Sequence, residues 1–390
     1  MRILKNPNVD FLSKRLVAAG ISAVVIGIGV VSLVTSGGPR LGIDFAGGSQ
    51  VIVRFAEAPD VNVVRDTLER GGLANATIQE FRSSTFDDIA DELIIQSPGL
   101  DAGSNIDTVV ATVNSALSGL LGGAQDGMDL NTASRGDLVA SLILANPLGF
   151  NLTADPETAE SLYQAEVTKL LDAKATAGLF TDWSEVEAAG IDAAVLGVFR
   201  GEGYFGPYAI VGSDFVGAQV GRALRSQTIQ AIVWALVGML AYITYRFQFK
   251  YGVGAVAALA HDVLVVLGAF SLTGREFNLP VVAAFLTIVG YSLNDTVVVF
   301  DRVRENNTTL RRMPLRERFN TSLNQTLSRT LLTSVTTLIV VTGLFIFGGP
   351  VINDFAFALL IGVLVGTYSS LFVASPIVYL WLKRDLAKRH

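Results

Sequence analysis

Six apolar runs, each close to the length of a helical membrane crossing, divide this chain of 390 residues. They fall at about Leu16 to Thr35, Gln227 to Tyr245, Tyr251 to Gly274, Leu279 to Phe300, Leu331 to Phe347 and Phe355 to Leu382. A helix needs roughly 20 apolar residues to span hydrocarbon. Backbone amides in that solvent must be satisfied within the segment, so the runs predict six transmembrane helices. Between the first and second lies one long polar stretch, residues 36 to 226. The expected layout is therefore residues 1–35 as N-terminus and first span, 36–226 as a polar domain, 227–382 as spans two to six, and 383–390 as a tail.

The short basic segments set an orientation. Arg2, Lys5, Lys14 and Arg15 precede the first span, Arg246 and Lys250 flank the loop after the second, and seven arginines lie from Arg302 to Arg329. Lys383, Arg384, Lys388 and Arg389 close the chain, while the opposite loops carry Arg275 alone. The positive-inside rule then places both termini in the cytoplasm and residues 36–226 outside it. The first apolar core is too long for a signal peptide, and Thr35-Ser36-Gly37-Gly38-Pro39 offers no small-x-small cleavage site, so it reads as an uncleaved anchor. The chain has no cysteine, which leaves the outer domain to be held by its core.

That domain carries 26 Asp and Glu against 11 Lys and Arg, a balance that argues against nucleic acid as a partner. Gln50 to Ala56 alternates as a strand, Val61 to Arg70 reads as a helix, and Ala76 to Arg82 and Glu92 to Gln96 read as two more strands. A helix from Asn105 to Leu121 and a last strand at Tyr208 to Val211 complete a β-α-β-β-α-β order, the ferredoxin-like α+β arrangement. An insertion at about 122–206 interrupts it. The run Asp129-Leu130-Asn131-Thr132-Ala133-Ser134 supplies helix caps before Leu138 to Ala145, and Ala159 to Ala175 reads as a second helix with Trp183 beyond it. This insertion superficially resembles a helix-hairpin-helix DNA module, but the glycine hairpin that would approach phosphates is missing.

Asp295 carries the chemistry. It lies inside the fourth apolar run, in Gly290-Tyr291-Ser292-Leu293-Asn294-Asp295-Thr296. A carboxylate at that depth costs about 3 kcal/mol or more and persists mainly where it faces a protein interior or a wet path. Arg329, about two residues into the fifth run, comes to similar depth, so the two are within pairing reach. A carboxylate that alternates between an arginine partner and a protonated form couples proton binding to movement. The alternatives are a static pair that locks helices together and, for Arg329, a side chain that snorkels to the interface. His261 and Asp262, near the middle of the third run, suit either a proton relay or a structural hydrogen-bonded pair. Metal binding is not expected from two histidines and no cysteine. Asp44, Gly47 and Gly48 read as a tight turn or hinge into the first strand. Gly362, Gly366 and Ser370 recur every fourth residue and let another helix approach. No Gly-x-x-x-x-Gly-Lys-Ser/Thr loop is present, so no ATPase site and no cofactor are expected.

Several of these motifs together resemble the SecF family of bacterial protein-export subunits. They are Leu41-Gly42-Ile43-Asp44-Phe45-Ala46-Gly47-Gly48, Ala260-His261-Asp262, the Gly290–Thr296 motif, Asp301-Arg302, Leu327-Ser328-Arg329-Thr330, Phe347-Gly348-Gly349-Pro350, Ile361-Gly362 and Gly366-Thr367-Tyr368-Ser369-Ser370. The resemblance covers residues 1–121 and 207–390. It implies an inner-membrane subunit paired with SecD beside the SecYEG channel, with YajC or YidC as further neighbours, which uses the proton gradient to drive preprotein export. It also points to Asp295 and Arg329 for proton transport. The long insertion and Ala46, in place of a common threonine, depart from the family pattern. Other readings are a proton-driven exporter of small molecules or lipids and a structural assembly subunit. The arginine-rich segment from Arg302 to Arg329 is expected to be a loop carrying an amphipathic helix on lipid head groups.

Overall fold

The structure, a computed structural model, describes residues 7–73, 76–85, 88–97, 106–121, 127–150 and 156–388. Arg2, Lys5, Asn105, Gly122 and Arg389, each used in the sequence reading, lie outside the described residues. The chain divides into two compact units, Met1–Phe45 with Arg222–His390, and Ala46–Gly221.

The first unit opens with α1 (Arg15–Thr35), then a short strand β1 (Arg40–Leu41) and the single helical turn α2 (Ile43–Ala46). The second unit contains β2 (Gly48–Phe55), α3 (Val61–Arg70), β3 (Thr77–Thr85), β4 (Asp88–Ser97) and α4 (Ile106–Leu121). Next come β5 (Met128–Asp129), α5 (Arg135–Ala145), α6 (Pro156–Ala177), α7 (Trp183–Glu187), α8 (Ala193–Glu202) and β6 (Gly203–Tyr204), before β7 (Tyr208–Val216). The sheet order is β3-β4-β2-β7, with every neighbour antiparallel. Alternation along β2 puts Val51, Val53 and Phe55 on one face, where they meet Val64 and Leu68 of α3 and Val109, Val113 and Leu117 of α4. Each such aliphatic side chain contributes about 1.5–3 kcal/mol when fully buried. Asp60 caps α3 by accepting a hydrogen bond from the Asn62 amide at 2.9 Å.

The insertion has its own core, built on Leu138, Leu142, Tyr163, Val167, Phe180 and Phe199. Its stem is the parallel pairing of β5 with β6. Ser134 and Asp137 form a capping box at the start of α5, as the run of cap residues predicts. The buried Asn131 bridges Phe180 N and O and also donates to Gly206 O. Arg54, on the other face of β2, pairs with Glu92 at 2.5 Å and donates to Ala177 O at the end of α6. Gly178 makes that approach possible: its φ is +78°, and a Cβ there would collide with the guanidinium.

The remaining elements are α9 (Ala218–Arg246), α10 (Phe249–Thr273), β8 (Glu276–Phe277), α11 (Leu279–Thr309), α12 (Leu315–Phe347), α13 (Pro350–Ser369), a π-turn at Ser370–Ala374 and α14 (Ser375–Ala387). Among the described residues six helical segments are long and apolar enough to cross a membrane: α1, α9, α10, α11, α12 and Ile352–Ala387. Helix α9 begins nine residues before the expected second span. The arginine-rich segment is not a loop. It consists of the ends of α11 and α12 joined by a turn at 310–314, because Asn306 donates to Ser322 and Gln325 while Phe319 and Leu323 fill the core between the helices.

Close packing in this unit relies on absent side chains. A Cβ added to Gly29 of α1 would lie 2.8 Å from Gly268 Cα of α10, so the two backbones nearly touch. Ser22 and His261 on one side of that crossing, and Ser32 and Ser271 on the other, keep the same spacing along the two helices. The π-turn precedes Pro376, which has no amide for a regular helical bond; Ser375 Oγ instead donates to Ser370 O at 2.8 Å.

Candidate functional site

Asp262 of α10 has no exposure to solvent and is bonded on both oxygens. Its Oδ1 lies 3.0 Å from His261 Nδ1, and its Oδ2 accepts from Ser292 Oγ of α11 at 2.7 Å and from Ser369 Oγ of α13 at 2.8 Å. His261 Nε2 lies 2.9 Å from Ser22 Oγ of α1, which in turn lies 3.1 Å from Tyr368 Oη. Tyr368 donates to Ala18 O. Neighbouring residues His261 and Asp262 therefore centre a polar network that ties α1, α10, α11 and α13 together. Every hydroxyl in it has a partner, which is the condition under which a buried charge is tolerated.

Asp295 is different. It occupies the buried face of α11, 4% exposed, three residues after Ser292, and its Oδ2 has no hydrogen-bond partner. The hydroxyls of Tyr291, one turn earlier on α11, and of Thr330 on α12 are buried and unpartnered as well. An orphaned polar atom of this kind costs about 1–3 kcal/mol, and more for a charged group. The cation expected beside Asp295 is Arg329. Among the described residues no ion pair joins the two: Arg329 lies on the exposed side of α12, next to the buried Thr330.

Arg329 lines a cavity of about 1010 Å³ at the arginine-rich end of α11 and α12, together with Asp10, Arg302, Asn320, Asn324 and Gln325. The N-terminal arm forms part of the wall. Asn324 exchanges two hydrogen bonds with the Val9 backbone, Asn320 accepts from Leu12 N and donates to Asp10, and Arg316 pairs with Asp10 at 2.5 Å. Phe11 packs against Phe372 in the π-turn with ring centroids 5.5 Å apart.

The glycine motifs fall at contacts between elements. Gly47 and Gly48 have φ of +74° and +133°, and a Cβ on Gly47 would lie 2.8 Å from Ala218 Cα. Asp44 Oδ2 accepts from Leu279 N at 2.8 Å, so this carboxylate satisfies a free amide at the start of α11 beside the cap provided by Asn278. A Cβ on Gly362 would collide with Ile288, and one on Gly366 would lie 3.1 Å from Ser292 Cβ, so these glycines set the distance between α13 and α11. At the other end of the bundle Arg275 pairs with Asp354 and lies 4.4 Å over the Phe357 ring.

Sequence reasoning missed Ser22, Ser292 and Ser369. A lone serine in an apolar run carries no periodic signal, although Ser292 and Ser369 both lie within motifs noted for other residues.

The chain matches two family models, the C-terminal region of the protein export membrane proteins SecD/SecF over residues 202–384 and the SecD/SecF GG motif over residues 31–58. It is 36% identical to the protein translocase subunit SecF of Koribacter versatilis over 386 residues, which cover 97% of this chain and 93% of that one. It is 47% identical over 179 residues to the protein translocase subunit SecDF of Thermus thermophilus, covering 46% of this chain and 24% of the relative. The crystal structure of SecDF from that organism superimposes with a TM-score of 0.65 at 28% identity, covering 97% of this chain and 39% of SecDF.

Proposed function

Because the chain belongs to the SecF family of protein translocase subunits, we propose that it works with SecD as a multi-pass accessory subunit of the Sec machinery and couples the proton gradient to preprotein export through Asp295. The relatives are named for protein translocation, which favours this reading over an exporter of small molecules or lipids. The fusion of SecD and SecF in one chain of a relative supports the pairing with SecD. In this reading the pair acts beside SecYEG, with YajC or YidC as neighbours. This chain contributes no ATPase site.

The basic segments support an orientation with both termini in the cytoplasm. Residues 36–226 are then extracytoplasmic. The β-α-β-β-α-β chain order and the β3-β4-β2-β7 sheet order support reading that domain as ferredoxin-like, with a helical insertion at 122–206.

The observation that carries proton coupling is the buried Asp295 oxygen without a partner, on a helix whose neighbouring carboxylate is fully bonded. A group left under-satisfied in this way changes its interactions on gaining or losing a proton, and Arg329 is the cation it meets when the helices shift. The test is preprotein export into inverted membrane vesicles, with and without a proton gradient, comparing wild type with Asp295→Asn at matched levels of assembled complex. Loss of the gradient-dependent component alone is the expected result. Full retention of that component overturns the assignment.

A further inference from the structure

Asp262 Oδ2 receives two hydroxyl donors, and the two are not equivalent. Ser369 Oγ also lies 3.2 Å from Gly366 O in its own helix, a second local acceptor. Ser292 instead precedes Asp295 by three residues, so the two side chains share a face of α11 about 4.5 Å apart along the axis. Asp295 Oδ2 is buried and unpartnered while the nearby hydroxyl is committed to the other carboxylate. Gly366 faces Ser292, and a Cβ there would lie 3.1 Å from Ser292 Cβ and 3.4 Å from its Oγ, so the glycine leaves the space beside this side chain open.

We infer that Ser292 is a switching donor between the two carboxylates: its hydroxyl bonds Asp262 while Asp295 holds a proton and turns to Asp295 when that carboxyl ionises. The hydroxyl keeps its own proton throughout. Only hydrogen bonds are exchanged, and the proton gained or lost is that of Asp295. Bonds from a hydroxyl to an ionised carboxylate are among the stronger ones, so the newly ionised group competes effectively for the donor. Once Ser292 leaves, Asp262 retains Ser369 and His261, and the tie from α10 to α11 is released while those to α13 and, through Ser22, to α1 remain. A proton at Asp295 is thereby converted into a change in how α11 is held. The titratable groups on the packed elements are His261 and Asp262 on α10, Tyr291 and Asp295 on α11, Tyr368 on α13 and Arg329 on α12, all of which stay in place in the serine variants of the test.

The inference rests on Asp295 as the proton-coupled group, so the experiment separates the two. Gradient-dependent export into inverted vesicles is measured for full complexes carrying Asp295→Asn, Ser292→Ala, Ser292→Cys or Ser369→Ala. Ser292→Ala is expected to lower the gradient-dependent rate about ten-fold or more, with gradient-independent export unchanged. Ser292→Cys keeps the side-chain shape with a larger atom that is only a weak donor, and shows the same loss. Ser369→Ala, which removes a donor from the same oxygen, stays within about two-fold of wild type. As a second readout, the infrared carboxylate stretch assigned to Asp295 by its absence in Asp295→Asn shifts in Ser292→Ala and not in Ser369→Ala. Equal losses in both serine variants make Ser292 a mere anchor of Asp262 and overturn the switch, as does an unaltered rate in Ser292→Ala. If Asp295→Asn itself keeps the gradient-dependent component, the proton assignment fails first.

Discussion

Two buried carboxylates lie close together in the membrane unit and are treated in opposite ways. Asp262 has a histidine and two serines on its oxygens, drawn from α10, α11 and α13. Asp295, one turn along α11 from Ser292, keeps an oxygen with no partner among the described residues, and Arg329 stays on the exposed side of α12. Burial is therefore common to both carboxylates, and hydrogen-bond satisfaction is what separates them. A fully bonded buried charge holds helices in register, whereas an under-bonded one is left with interactions still to be made when its protonation changes.

Removing each acid is the sharpest way to break this comparison. Asp262→Ala strands His261, Ser292 and Ser369 without their common acceptor, and the expected loss is about 3–5 kcal/mol of stability, read as a large fall in the melting temperature of the purified complex. Asp295→Asn takes away an oxygen that had no partner, and its melting temperature is expected to stay at or above that of wild type. If the two variants melt alike, the distinction between a satisfied and an unsatisfied acid carries no weight.

The second unit supplies a third buried carboxylate and sharpens the contrast. Glu92 is 4% exposed and is paired with the half-exposed Arg54, which also holds the end of α6. Arg54→Ala leaves Glu92 buried without its cation, at an expected cost of about 2–3 kcal/mol after allowance for the partial exposure of the pair. Because the same arginine binds Ala177 O, hydrogen exchange should rise at the α6–α7 connection in this variant before it rises in the sheet. Uniform exchange across the unit would deny Arg54 its role as a latch.

A smaller effect is expected where the two membrane sites are held together. Gly362→Val drives a side chain into Ile288 and separates α13 from α11, for about 1–3 kcal/mol. The double variant with Ile288→Ala recovers part of that loss if the collision is the cause. A melting temperature unchanged by Gly362→Val would show that the seam is looser than its geometry indicates.

Much of this organisation was legible in the sequence because it repeats. Length and apolarity mark the six spans, and the caps and periodicity of Val61 to Arg70 give α3 at the bounds observed. The run from Asp129 to Ser134 announces α5 through its capping chemistry. What stayed hidden depends on single residues. Nothing periodic marks Ser292 and Ser369 as partners of Asp262, or Ser22 as the partner of His261, since their hydroxyls matter only once four helices have packed. The extension of α11 and α12 beyond the apolar runs was hidden for a related reason. Most of its arginines are exposed and suggest a loop, while the few residues that zip the two helices together, Asn306, Ser322 and Phe319, are scattered among them. Similar depth along two helices placed Asp295 and Arg329 within reach of each other, but depth does not determine which side of α12 the arginine occupies.

The smallest expected effect lies in the second unit and concerns an acid that ionises only at high pH. Tyr208 is buried, and its hydroxyl lies 2.8 Å from Asn114 Oδ1 and 3.0 Å from Asn114 O. Burial, with the charge of Asp129 behind it, holds the phenol well above its ordinary ionisation range. In the unfolded chain the same group ionises near pH 10. The folded state thus binds the proton more tightly, and the associated stability is complete below about pH 10 and lost as the pH rises from there towards the folded value. Tyr208→Phe removes a hydrogen bond worth about 1 kcal/mol at neutral pH. It also removes the alkaline decline, so the melting curves of wild type and variant should converge above pH 10. Parallel curves across that range would mean that the Tyr208 hydroxyl ionises as readily in the folded unit as outside it.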